Sequence, residues 1–390
     1  MIKVLLVSPI DPKVPGNLKY LVGGESTFTQ TLLANPPEGV VYIDHLEALK
    51  RGDIEYLPWQ KWLWLLVKLR VLPLSSGSQC LLVKKHFDLI HCHAYSLKIE
   101  GKTAPVILSD SSSNYLFLRD YMKWPEWRIK IGYFLRRKMF DLLGLMDADT
   151  NPKGTKRIIV FSQFAQYLHE KLGVSHSKME VLPPGLKISN KRKTPIGESR
   201  TINILFVGIW FERKGGHLLL EAFERLNKKY RNIYLTIVGE VPKNVKCQMS
   251  PIRQAQGDPE YIEGSNVKCI NYVPREKLMR EFFPKADIFV LVPPKVEGYG
   301  FAVVEAMSFG IPVVVSNVCA LPELAEDGKC GFVVKSGNVD DLYDKLEVLI
   351  KDPKLRLKIG EQAKKRFEEK FTSGVMNKKL LSVYKKALKS

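Results

Sequence analysis

A chain of 390 residues spans between two and three lengths of the roughly 150 residues in one typical domain, so a single small module is excluded. Hydrophobic residues at 45% and charged residues at 26% describe a chain able to bury large cores, which excludes global disorder. Sixty Lys and Arg against 41 Asp and Glu leave +19, which predicts attraction to polyanions without saying whether these are nucleic acids, anionic lipids or phosphorylated substrates.

Met1 to Val7 reads as a strand with no signal-peptide cleavage pattern behind it, and no run approaches the ~18 apolar residues of a membrane-spanning helix. A cytoplasmic protein is therefore expected. Short apolar runs of strand length follow at Val40 to Ile43, Leu89 to His91, Val106 to Leu108 and Ile158 to Phe161. A second series, rich in β-branched residues and nearly continuous, comprises Ile202 to Val207, Tyr234 to Val238, Val267 to Ile270, Ile288 to Val292 and Val313 to Val315. Continuous apolar strands are buried on both faces, which implies parallel sheets covered by helices. His217 to Tyr230 and Phe301 to Phe309 carry helical spacing between them. The expected fold class is α/β, with two doubly wound, Rossmann-like domains.

The polar, basic stretch Lys187 to Arg200, with Pro195 and Gly197, reads as a linker and divides an N-terminal domain, 1–190, from a C-terminal domain, 191–372. The tail is charged and helical, interrupted at Asp352-Pro353 and at Thr372-Ser373-Gly374, and residues 373–390 form a terminal helix expected to return to the N-terminal domain. Cys80, Cys92, Cys247, Cys269, Cys319 and Cys330 show no pair at the two-residue spacing of zinc or redox motifs and read as reduced core residues.

Chemistry concentrates in two stretches. In Val292 to Met307 a buried strand ends, a loop with Glu297, Gly298, Tyr299 and Gly300 follows, and a helix opens at Phe301 and carries Glu305. Such a loop lies at the carboxyl edge of a parallel sheet, where ligands bind. Two carboxylates there can accept hydrogen bonds from vicinal hydroxyls, unless Glu305 merely pairs on a helix surface. In Ile204 to His217, Gly208 precedes Arg213, Lys214, Gly215 and Gly216 at a helix start. Two cations and a helix N-terminus make a cradle for a diphosphate; a solvated basic turn is the plainer reading.

Together these stretches resemble the family 4 retaining glycosyltransferases of GT-B fold. Glu297 and Glu305, separated by seven residues and followed by Ala306-Met307-Ser-Phe-Gly310-Ile-Pro312, are similar to the family's two-glutamate motif. The resemblance extends through Gly239, through Val273-Pro and through Leu321-Pro-Glu323 to Gly331-Phe. It implies that Glu297 contacts the donor sugar and Glu305 the ribose, that Arg213 and Lys214 hold the diphosphate, and that Val273 lies beside the base. Gly208, Gly239, Gly298, Tyr299, Gly300 and Phe301 would complete the donor site.

In the first half, Gly23-Gly24-Glu25 resembles the glycine pair that faces the diphosphate, and Phe87 to His93 resembles the strand ending in a histidine. His93 is thus a candidate substrate contact, against the reading of a packed strand-end residue. Many family members place a histidine against the donor sugar after a strand like Pro105 to Leu108; here Ser109-Asp110-Ser111-Ser112 follows, and Asp110 or Ser111 takes that place. Ile209 stands where many relatives carry an arginine, a role that falls to Arg213.

The resemblance implies two domains facing across a cleft and a hexosyltransferase of class EC 2.4. It would move a hexose from a UDP-, GDP- or ADP-sugar to a hydroxyl acceptor: a glycan, a lipid-linked molecule or a small molecule. Neither a cofactor nor a metal is implied, since two cations and a helix dipole can meet the charge on the diphosphate. The alternative is a basic nucleic-acid-binding or non-catalytic nucleotide-binding protein. Against it, basic residues outnumber acidic ones 25 to 17 in residues 1–190 and 35 to 24 in the rest, so no single stripe carries the excess.

Trp59 to Arg70 mixes aromatic and basic residues, and Arg119 to Lys138 holds seven basic residues against two acidic ones. This composition suits peripheral contact with an anionic membrane at its inner face. The competing expectation is that Ile131, Leu135, Met139 and Leu142 form an ordinary core stripe.

Overall fold

The computed structural model describes residues 1–7, 24–58, 62, 65–66, 69, 80–93, 96–100, 104–111, 114–148, 151–187, 201–242, 248–249, 266–270 and 273–389. The chain divides into two compact units. The first joins Met1–Lys187 to Thr372–Ser390, and the second is Ile188–Phe371.

In the first unit six parallel strands lie in the order Val40–Asp44, Ile2–Val7, Leu89–His93, Val106–Asp110, Arg157–Val160, Met179–Val181. Every residue of Leu89–His93 and Val106–Asp110 is buried, as expected for central strands covered on both faces. Leu5, Ile90, Leu108 and Ile158 meet in one core cluster. A smaller sheet of Ile54–Tyr56, Cys80–Val83 and Ser96–Ile99 adds to this unit. Its strands are only three or four residues long, too short to show a period in the sequence.

Thr372–Ser390 belongs to this first unit, after two helices of the second. Asp352 ends one helix, Val339–Lys351, and caps the next, Pro353–Lys370, its carboxylate accepting from Leu355 N at 2.9 Å while Pro353 occupies the first turn. The last helix, Ser373–Lys389, buries Met376, Leu380, Val383, Tyr384 and Ala387, a single stripe at helical spacing. Tyr384 Oη lies 2.7 Å from His91 Nδ1 and 2.9 Å from Tyr42 Oη, and Asn377 Nδ2 donates to Asn35 O at 2.8 Å.

The second unit holds seven parallel strands in the order Gln248–Met249, Val267–Ile270, Ile233–Glu240, Ile202–Trp210, Ile288–Leu291, Val313–Ser316, Gly331–Val334. Ile288–Leu291 and Val313–Ser316 are buried throughout. The amphipathic Gly216–Lys229 helix packs Leu219, Ala222, Phe223 and Leu226 inward.

Two expectations are corrected. Cys269 is disulfide-bonded, with a partner outside the described residues, whereas Cys80, Cys92, Cys319 and Cys330 are free. Spacing along the chain excludes only sequence-local pairs. The stripe of Ile131, Leu135 and Leu142 is not core, for these side chains are 51%, 47% and 86% exposed. The Glu126–Leu143 helix instead buries Ile129, Tyr133, Arg136 and Phe140. Buried Arg136 reaches Asp147 at 3.2 Å and stacks over Phe140, which anchors that face. Both stripes satisfy the helical period, so periodicity alone could not choose between them. Among the described residues no helix is long and apolar enough to cross a membrane.

Candidate active site

In the second unit the carboxyl ends of two adjacent strands bring the charged residues together. The Ile202–Trp210 strand runs into a turn carrying Arg213 and Lys214, and the Ile288–Leu291 strand runs into the loop carrying Glu297. Gly215 joins the two. It has φ +83°, and a Cβ there would stand 2.0 Å from the carbonyl oxygen of Val292, so only glycine lets the turn close against the neighbouring strand end. The Nζ of Lys214 then donates to Glu297 Oε2, and Arg213 Nη1 lies 4.0 Å from the same oxygen. Gly239 acts similarly one strand away. Its Cβ would meet Gly208 O at 1.8 Å, beside the register shift between Val207 and Trp210.

The electrostatics follow from burial. Glu297 is 5% exposed. Desolvation pushes its carboxyl up, but the charges of Lys214 and Arg213, with hydrogen bonds from Lys214 and the Gly298 amide, together outweigh it and hold the group below its ordinary value. Burial draws Lys214 down, and Arg213 adds to this, while Glu297 opposes it. The result is a close ion pair flanked by a second cation at the start of the Gly216–Lys229 helix.

Glu305 lies in the Phe301–Ser308 helix, 5% exposed, and accepts from Arg275 Nε at 2.7 Å. Burial raises its carboxyl, and Arg275 only partly offsets this. Of the plainer reading, a glutamate that pairs on a helix surface, the pairing is present with Arg275 but the site is buried rather than on the surface. Arg275 was missed in the sequence, although it follows Val273-Pro274 directly in the resembling segment. Cys319 was missed too; its Sγ accepts from the Glu297 amide at 3.5 Å. Nothing in the sequence around Cys319 signals this contact. Gly300, at φ +91°, precedes the helix, and the rings of Tyr299 and Phe301 meet edge to face at 5.5 Å. Val273 is buried just beyond the Val267–Ile270 strand.

The first-unit candidates have a different setting. Gly23 lies outside the described residues, and Gly24 opens the Gly24–Ala34 helix. His93 and Asp110 end adjacent strands. His93 is fully buried, its Nδ1 2.9 Å from Ser109 Oγ and its ring stacked on Phe161, which fits a packed strand-end residue better than a substrate contact. Asp110 is 8% exposed, with its carboxylate 3.3 Å from His169 Nε2. His91 bonds Tyr384 and Ser109, and burial, then the neighbouring His93, push it down to about 3, which keeps it neutral.

Two doubly wound units, one with paired cations and buried carboxylates at its sheet edge, define a GT-B architecture. Residues 188–366 match the family described as glycosyl transferases group 1. The capsular polysaccharide biosynthesis glycosyltransferase CapM of Staphylococcus aureus is 30% identical over 184 residues, 47% of this chain and 46% of that protein. The chain thus spans about half the length of this curated relative. Among solved structures, HepE of Anabaena in complex with UDP and glucose is similar at 14% identity and TM-score 0.62, covering 99% of this chain and 100% of that one. WaaG, a glycosyltransferase involved in lipopolysaccharide biosynthesis, is similar at 16% identity and TM-score 0.58, covering 99% and 98%. These likenesses establish two Rossmann-like domains of GT-B type.

Proposed function

We propose that the protein is a retaining hexosyltransferase, similar to family 4, that transfers a hexose from a nucleoside-diphosphate sugar to a hydroxyl acceptor in the cytoplasm. The observation that carries this reading is the cluster of half-buried Arg213 and Lys214 with buried Glu297 at the start of the Gly216–Lys229 helix. In it Arg213, Lys214 and the helix N-terminus face the donor diphosphate, Glu297 the sugar and Glu305 the ribose hydroxyls. The bond from the anomeric carbon to the diphosphate breaks while the acceptor oxygen bonds the same face, and the acceptor proton passes to the departing phosphate oxygen. Charge grows on that phosphate, so fixed cations there lower the barrier without a metal ion. The Glu297 carboxylate keeps Lys214 charged and aimed before the donor arrives.

Support comes from the glycosyl transferases group 1 match over the same residues and from a structural neighbour crystallised with UDP and glucose. The acceptor is a glycan, a lipid-linked molecule or a small molecule. Thermal unfolding with UDP, GDP, ADP and their hexose conjugates tests the reading, since a ligand of the folded state raises the melting temperature. One nucleoside diphosphate should raise it and Lys214→Ala should abolish that rise; no shift with any of them would refute the donor site.

A further inference from the structure

The Glu126–Leu143 helix carries two apolar stripes, and only one of them is used by the core. On the other, Trp127, Ile131, Phe134, Leu135 and Leu142 are 64%, 51%, 59%, 47% and 86% exposed. At 1.5 Å per residue this row runs about 22 Å along the helix, long enough to lie flat on a surface. Exposed Lys138 sits within it, its Nζ 5.8 Å over the Phe134 ring, and exposed Lys130 flanks it. The two acidic residues of the helix are engaged by neighbours: Glu126 accepts from Tyr115 Oη at 2.9 Å, and Asp141 lies 3.3 Å from Asn151 Nδ2 and 3.6 Å from Lys153 Nζ. The outward face is therefore apolar with a positive border.

Further exposed apolar side chains occur in the same unit. Leu66 packs with Met139 and Leu143 around Phe140 and Leu145, near the end of this helix. On either side of Leu66 in the chain, Trp62 and Leu69 stand 70% and 62% exposed. Large apolar side chains along one face of this helix, in a chain with net charge +19, call for an occupant that is both apolar and anionic.

We infer that this face docks the first unit onto an anionic lipid bilayer, with Trp127 and Phe134 at headgroup depth and Lys130 and Lys138 against lipid phosphates. An amphipathic helix lying in the interface plane uses this arrangement of apolar stripe and lysine border. Two-fold pairing with a second copy would set Lys130 and Lys138 against their own counterparts, a like-charge contact that anionic lipid avoids. The inference concerns a face other than the nucleotide cluster, so it stands or falls separately from the transferase reading.

Flotation of the full chain with vesicles tests it. The protein should rise with phosphatidylcholine vesicles containing phosphatidylglycerol at low salt, stay down with phosphatidylcholine alone, and be released by high salt. Trp127→Ser combined with Phe134→Ser, and separately Lys130→Glu combined with Lys138→Glu, should each weaken flotation by about tenfold or more. Both variants should keep the wild-type melting temperature, which separates lost docking from lost folding. No flotation of the wild type on anionic vesicles at low salt would overturn the proposal, as would equal flotation on neutral vesicles or flotation unchanged in both variants. A dimer dispersed by the same substitutions, without vesicle binding, would overturn it in favour of self-association.

Discussion

The two units share one construction principle and use it in opposite ways. Each is a parallel sheet whose central strands are buried on both faces, and each delivers polar residues to the carboxyl edge. In the second unit that edge carries charge: Lys214 and Arg213 against Glu297, and Arg275 against Glu305. In the first unit His91 and His93 both hydrogen-bond Ser109, and His91 also bonds Tyr384 from the terminal helix. An internal ion pair can be exchanged for a ligand anion, because the cation is already desolvated and aimed. A hydrogen-bond chain closed by a helix holds elements together and has little left to offer a ligand.

The largest test of this contrast is Lys214→Ala. It should lower release of nucleoside diphosphate from the donor by about two to three orders of magnitude in kcat/KM. It should also cost roughly 3 kcal/mol of stability in urea unfolding, because buried Glu297 loses its close partner and is left with Arg213 at 4.0 Å. Retained activity would remove the cation from the reaction. Gly215→Ala follows, at about 2 kcal/mol or more, since it combines a positive φ with a Cβ driven into Val292 O. A variant as stable as the wild type would show that the turn does not need this close approach.

Glu305→Ala should weaken nucleotide affinity about tenfold by calorimetry while the protein remains folded. Unchanged affinity would return Glu305 to a purely structural pairing with Arg275. Tyr384→Phe should destabilise the first unit by about 1 kcal/mol and leave nucleotide binding unchanged; an effect on affinity would break the division of labour between the units. The smallest effect concerns pH. Glu297 is held below its ordinary value of 4.5, so its stabilising contribution is present above that value and is lost as pH falls through the lower folded value. Glu297→Gln should therefore flatten the acid limb of stability by no more than about 1 kcal/mol, seen in urea unfolding at successive pH values. An unchanged acid limb would mean that its ion pair does not hold the carboxylate.

Much of the second unit was legible in advance because its signals are local. A continuous apolar run such as Ile288 to Val292 declares a buried strand, and the glycines and charges that follow it declare a loop at a sheet edge. Glu297, Lys214 and Gly215 could be named from residue type and position alone. Arg275 and Cys319 could not, since each reaches a glutamate from a different strand–helix connection. The first unit was harder. His91 shows neither a packed nor a catalytic role until Tyr384, nearly three hundred residues later, is seen on its Nδ1. Cys269 was misread because spacing along the chain excludes only sequence-local pairs.

By itself the sequence determined the alternation of strands and helices, the breaks at Asp352-Pro353 and Thr372-Ser373-Gly374, and the charged groups of the second unit's sheet edge, since these depend on side-chain periodicity, capping and backbone freedom within a few residues. Only the tertiary structure decided which of two apolar stripes on the Glu126–Leu143 helix is buried and which cation meets which carboxylate. Each of those is a choice between faces or partners that satisfy the same local rules, and packing against distant chain makes it.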